Sequence, residues 1–188
     1  MSTRGVSSCT VWFYDPAQEA VTGSNFVNKI VAGLYPPFSH VELQFPNGEA
    51  CSIVMNETVR LRTRTFNTDF YTSLQIHASL PAIDKALDLA RKHVASLTPF
   101  GVSASSTFCS KLVAELLLES GIVCTSSLPD YHVLSPSTLY FRLQHLTGVV
   151  EHPSALAPIS ARATPISFVN PATAHTFVFR VQAMERVT

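Results

Sequence analysis

With 188 residues, of which 46% are hydrophobic, the chain has the length of one domain and enough apolar material for a sizeable core. Its 13 basic and 13 acidic residues cancel, which excludes the basic excess of a general nucleic-acid binder. Only 14% of residues are charged, below the usual quarter, so a surface covered by a partner or by a second copy of the chain is an expectation. No apolar run approaches the ~20 residues that span a bilayer, and no secretory signal is legible at the N-terminus. Cys9, Cys51, Cys109 and Cys124 show neither a Cys-x-x-Cys spacing nor a tight cluster with histidine, so neither a metal site nor a redox pair is expected. They read as free thiols of a cytoplasmic protein.

In chain order, Cys9 to Tyr14 reads as a strand stopped by Asp15-Pro16. Ser24 to Leu34 reads as a short helix broken by Tyr35-Pro36-Pro37, because a residue before proline is pushed out of the helical region. Ser39 to Phe45 alternates, with Val41, Leu43 and Phe45 on one face and His40, Glu42 and Gln44 on the other. Asn47-Gly48 suits a hairpin turn, and Glu49 to Met55 returns as the partner strand. Thr58 to Phe66 reads as a third strand of this group and Tyr71 to Ala78 as a fourth. Arg60, Arg62 and Arg64 form one basic face, which reads first as a solvated edge strand and second as a surface for an anionic partner.

Pro81 opens a helix along which Ile83, Leu87, Ala90 and Val94 recur at helical spacing. Pro99-Phe100-Gly101 ends it. Thr107 to Ser120 reads as a second helix, with Leu112, Val113, Leu116 and Leu117 as its apolar face and Gly121 as its stop. Ser135-Pro136 opens a third, through about Leu146. Val149 to Ala174 lacks a clean period and reads as an irregular arm, before a closing strand at Thr176 to Val181. The expectation is one α+β domain over 1–188, an antiparallel sheet packed against a cysteine-bearing helix.

Cys109 and His40 are the pair with chemical potential. A thiol at a helix N-terminus meets unpaired N–H groups and the positive end of the macrodipole, and both favour the thiolate. Those amides can also hold a developing oxyanion. An imidazole on a neighbouring strand can take the thiol proton and return it to a leaving group. On spacing alone, a core thiol and a surface histidine are the simpler readings, since Cys109 shares a face with Leu112, Val113 and Leu116. Cys51 is a lesser nucleophile candidate near His40, and Cys9 and Cys124 read as structural. Lys111 reads as a solvated helix residue, with a substrate carboxylate as its functional alternative.

The stretches F-S-H-V-E-L-Q-F-P-N-G-E-A-C-S, T-F-C-S-K-L-V-A-E-L-L-L-E-S-G and L-S-P-S-T-L, covering roughly 37–139, resemble the circularly permuted branch of the NlpC peptidase superfamily. That branch holds lecithin:retinol acyltransferase-like enzymes, bacterial hydrolases and proteins of phages and large DNA viruses. The resemblance implies a permuted papain-like fold, with the histidine strand preceding the cysteine helix. It implies Cys109 as nucleophile, His40 as base, no cofactor, and a polar third residue. Ser52 on the following strand and Glu42 beside His40 both fit that last role. The implied activity is thiol-dependent hydrolysis of a peptide or isopeptide amide through an acyl-enzyme. The alternatives are a lipid acyltransferase or esterase, or a catalytically weak module of a virus particle. The implied partners are a peptide or acyl substrate, a second copy of the chain, or a virion component. The implied setting is the cytoplasm, of a host if the protein is viral.

Overall fold

The computed structural model describes residues 6–18, 33–146, 149–152, 167–169 and 176–178. The chain divides into two compact units, Met1–Leu156 and Ala157–Thr188. In the first, an α+β unit, six antiparallel strands carry three helices among the described residues. The strands are β1 (Val6–Tyr14), β2 (His40–Gln44), β3 (Glu49–Ser52), β4 (Arg60–Thr63), β5 (Tyr71–Ser79) and β6 (Val149–His152), in the order β4-β3-β2-β1-β5-β6. The helices are α1 (Leu80–Ala95), α2 (Cys109–Glu119) and α3 (Pro136–Gln144). In the second unit β7 (Ser167–Val169) pairs antiparallel with β8 (Thr176–Val178).

The central strand β1 pairs with β5 along its whole length, from Val6↔Ser79 to Tyr14↔Tyr71, and with β2 from Thr10↔Gln44 to Tyr14↔His40. Alternation then decides the faces. Val11, Phe13, Val41, Leu43, Leu74 and Ile76 enter one buried cluster with Ile83, Ala86 and Ala90 of α1, with Leu112, Val113, Leu116 and Leu117 of α2, and with Leu139 and Leu143 of α3. The intervening residues Trp12, His40, Glu42 and Gln44 lie on the other face. There Trp12 stacks on Phe66 at 4.6 Å, and Tyr71 sets its edge to Phe66 at 5.1 Å.

Local chemistry sets the boundaries. Gly48, at φ +85°, supplies the left-handed turn between β2 and β3, and Asn47 Oδ1 accepts from the Glu49 amide at 3.0 Å. Phe108 is extended (φ −133°, ψ 168°), so α2 starts at Cys109. Ser135 caps α3 by accepting from the Thr138 amide at 3.1 Å, ahead of Pro136 in the first turn. Gly121 (φ +80°) follows α2.

Several expectations change. Val149–His152 is not irregular: it is the edge strand β6, paired with β5 from Ser73↔His152 to Ile76↔Val149. Its Val-Val start is too short to show a period. Thr176–Val178 pairs with Ser167–Val169 and forms a separate two-stranded sheet. The β3 strand stops at Ser52, and β4 spans only Arg60–Thr63. Residues 24–32 of the expected first helix lie outside the described residues; Gly33 and Leu34 are helical. No helix among the described residues is long and apolar enough to cross a membrane.

Candidate active site

The β2 and β3 strands pair only at Leu43↔Cys51 and Gln44↔Ala50. Over His40 to Glu42 the outer edge of β2 is therefore free of β3, and the N-terminus of α2 fits there. The backbone amides of Val41 on β2 and of Ser110 in the first turn of α2 and the His40 side chain surround the Cys109 sulfur closely enough to act on its ionisation. Burial pushes the thiol toward its neutral form, but the imidazole bond, its charge and the two amides outweigh that, so the Cys109 pKa lies below the ordinary thiol value. Burial likewise disfavours imidazolium at His40. The nearby Cys109 and Glu42 reverse this and raise its pKa, although His40 Nε2 has no hydrogen-bond partner among the described residues and meets Glu42 only at ion-pair distance. The two directions agree: each side chain favours the charged form of the other.

Glu42 completes the arrangement. Its side chain is buried on the outer face of β2, two residues from His40, and Oε1 lies 3.5 Å from His40 Nε2. The same oxygen accepts from Arg64 Nη1. Arg64 leaves the end of β4 and turns back across the sheet. Its Nη2 donates to Tyr71 Oη at 2.9 Å, and its guanidinium lies 4.9 Å from the Phe66 ring centre. A buried carboxylate needs such a partner, since an unpaired one would neutralise. Two cations, Arg64 and His40 in its protonated form, thus share one carboxylate oxygen.

Of the two candidates for third residue, Glu42 faces the imidazole. Ser52, the last residue of β3, is paired through the backbone with Arg60 and has no side-chain hydrogen bond to His40 among the described residues. The other thiols are distinct from Cys109. Burial pushes the buried Cys9 and Cys51 up to about 12, with the Glu42 charge adding to the effect at Cys51. Cys124, expected to be structural, is exposed, and hydrogen bonds from Ser126 lower its pKa. Lys111 is not a solvated residue: it is buried, and its Nζ donates to the Ser106 carbonyl at 2.8 Å, pinning the loop that leads into Cys109. Nor is the arginine row uniform. Arg60 pairs with Glu57 at 2.6 Å, Arg64 is exposed along its length yet pairs with the buried Glu42, and Arg62 is exposed with no ion pair among the described residues. Sequence reasoning missed Arg64 because alternation placed it with its two neighbours.

Cys109 and His40 line a cleft of about 420 Å³. The 53–55 and 100–102 segments supply one wall; they are neighbours because the Phe100 amide donates to the Glu57 carbonyl and Thr58 bridges Pro99. The 133–138 segment and Tyr35 supply another, joined where Ser137 Oγ donates to the Tyr35 carbonyl at 2.6 Å. A thiol at the start of a helix lining an open cleft, an imidazole beside it and a carboxylate behind the imidazole are the groups that nucleophilic acyl transfer uses. The chain matches no family model, no curated protein and no solved structure.

Proposed function

We propose that this chain is a thiol hydrolase of the permuted papain-like kind, cleaving an amide bond with Cys109 as nucleophile, His40 as acid and base, and Glu42 as the residue that orients and charges His40. The observation that carries the reading is the Cys109–His40–Glu42 line, in which a sulfur at a helix N-terminus touches an imidazole backed by a buried carboxylate. The order of the parts, histidine strand first and cysteine helix later, supports the permuted arrangement. So does Ser135-Pro136 opening α3 beside the cleft.

In this reading the Cys109 thiolate attacks the scissile carbonyl and forms a carbon–sulfur bond. The carbonyl electrons move to oxygen, where amides of the first turn of α2 stabilise them. The imidazolium of His40 gives its proton to the departing amine as the carbon–nitrogen bond breaks, leaving a thioester. Neutral His40 then removes a proton from water, which hydrolyses the thioester, and the thiolate–imidazolium pair is restored. Glu42 keeps the positive charge on the imidazole favourable through each proton transfer.

The test is acyl-enzyme trapping. The full chain is mixed with the p-nitrophenyl ester of a blocked amino acid and followed by intact mass. A single acyl adduct on Cys109, with a burst of nitrophenol, is expected. Cys109→Ser abolishes both, and His40→Ala slows acylation by about 100-fold or more. An unmodified Cys109 after many equivalents of ester would contradict the proposal.

A further inference from the structure

Among the described residues lining the cleft, Cys109 and His40 are the titratable pair, and there is no Asp, Glu, Lys or Arg. Around them stand large apolar side chains that solvent reaches although they belong to no core: Val102 is 90% exposed, Val133 77% and Met55 50%, with Tyr35, Val54 and Phe100 also exposed. Both walls contribute, Val54, Met55, Phe100 and Val102 on one and Tyr35 and Val133 on the other. Single exposed apolar residues need no explanation, but six of them lining one cleft with a cysteine do. Neutral hydroxyls are set among them: Ser135 and Thr138 are hydrogen-bonded to each other, Ser110 donates to the Leu134 carbonyl, and Ser39 and Tyr35 also line the cleft. Ser39 Oγ is buried and has no hydrogen-bond partner among the described residues.

Resting on the hydrolase reading above, we infer that the cleft is built for a peptide whose side chains on either side of the scissile bond are apolar and uncharged. A charged side chain there would lose water and meet no counter-charge, whereas an apolar one would cover the rim and release water from it. A peptide also brings amide groups that can pair with the Ser39 hydroxyl, which lines the cleft among the apolar walls. A hydrocarbon chain would leave the Ser39 hydroxyl unpaired.

The experiment uses the full chain carrying Cys124→Ser, so that the exposed thiol does not compete. Four thiol-directed probes are compared by intact mass: a peptidyl acyloxymethyl ketone with Val, Leu and Phe side chains, its counterpart with Asp and Lys, an acyloxymethyl ketone on a plain alkyl chain, and iodoacetamide. The apolar peptide probe is expected to modify Cys109 at least about 10-fold faster than the charged one, the discrimination a single apolar contact affords. It is also expected to outpace the alkyl probe. Val133→Asp and Val102→Asp, both at exposed positions, should lower the apolar-peptide rate by a larger factor than the iodoacetamide rate. Equal rates for apolar and charged peptides, with iodoacetamide still labelling Cys109, would overturn the inference and leave the hydrolase reading intact. A fastest alkyl probe would also overturn it, assigning the cleft to acyl chains. Failure of iodoacetamide itself would remove the hydrolase reading on which the inference rests.

Discussion

Replacing Glu42 by Gln is the perturbation that separates an electrostatic relay from mere packing, because the amide keeps the shape and removes the charge. Glu42 Oε1 lies 3.5 Å from His40 Nε2, and at an effective dielectric of about 20 two unit charges so spaced attract by roughly 4.7 kcal/mol. Arg64 draws on the same oxygen, and water and side chains relax after the change. About 1.4–2.7 kcal/mol of that attraction should survive as a difference in His40 ionisation, or about one to two pKa units. The sign is fixed by the two directions of shift. His40 is raised, so imidazolium persists through neutral pH and is lost only as pH climbs through its elevated value. Cys109 is lowered, so the thiolate forms below the ordinary thiol range. Removing the carboxylate weakens imidazolium directly and the thiolate through it. In Glu42→Gln the basic limb of Cys109 alkylation should therefore move down by about one to two units and the acid limb up by a smaller amount. The assay is the second-order rate of carboxamidomethylation against pH, measured in a Cys124→Ser background. A profile whose limbs stay where the parent has them would refute the reasoning, whatever happened to stability.

Arg64→Met should lower the melting temperature and move the same pH limbs, because a buried carboxylate loses its guanidinium, while Arg64→Lys should recover part of both effects; thermal melts and the alkylation profile read this together. Ser52→Ala should change the ester-hydrolysis rate by less than about threefold, since the carboxylate and not this hydroxyl faces His40. Leu116→Ala, at a fully buried position of α2, should cost about 2–5 kcal/mol in urea unfolding, with a loss below ~1 kcal/mol contradicting the core assignment.

Much of this arrangement was legible in the residues. Period-two alternation over Val41, Leu43 and Phe45, a turn at Asn47-Gly48 and the apolar face of Leu112, Val113, Leu116 and Leu117 depend on local rules, and β2, its hairpin and α2 follow them. The pairing of Cys109 with His40 depends on β3 leaving the edge of β2 early, a long-range property that no local pattern encodes; only the family resemblance pointed to it. The choice between Ser52 and Glu42 lay beyond the sequence for the same reason, because it turns on which side chain meets a ring across a few ångströms. Arg64 and Lys111 were misread because each carries an ordinary surface residue type. A chain that leaves β4 and folds back over Phe66 and Tyr71 brings the first to Glu42, and the close-packed start of α2 buries the second. The short β6 strand lacks enough residues for alternation to register, and its partner, β5, lies more than 70 positions earlier.

The most direct measurement is the ultraviolet absorbance of the Cys109 thiolate titrated against pH, taken as the difference between the Cys124→Ser protein and the same protein carrying Cys109→Ser. The account requires one thiol to ionise below the ordinary thiol value, and that step to move back up when His40 becomes Ala. A Cys109 that ionises at or above the ordinary value with His40 in place would show that sulfur and imidazole do not hold each other's charge.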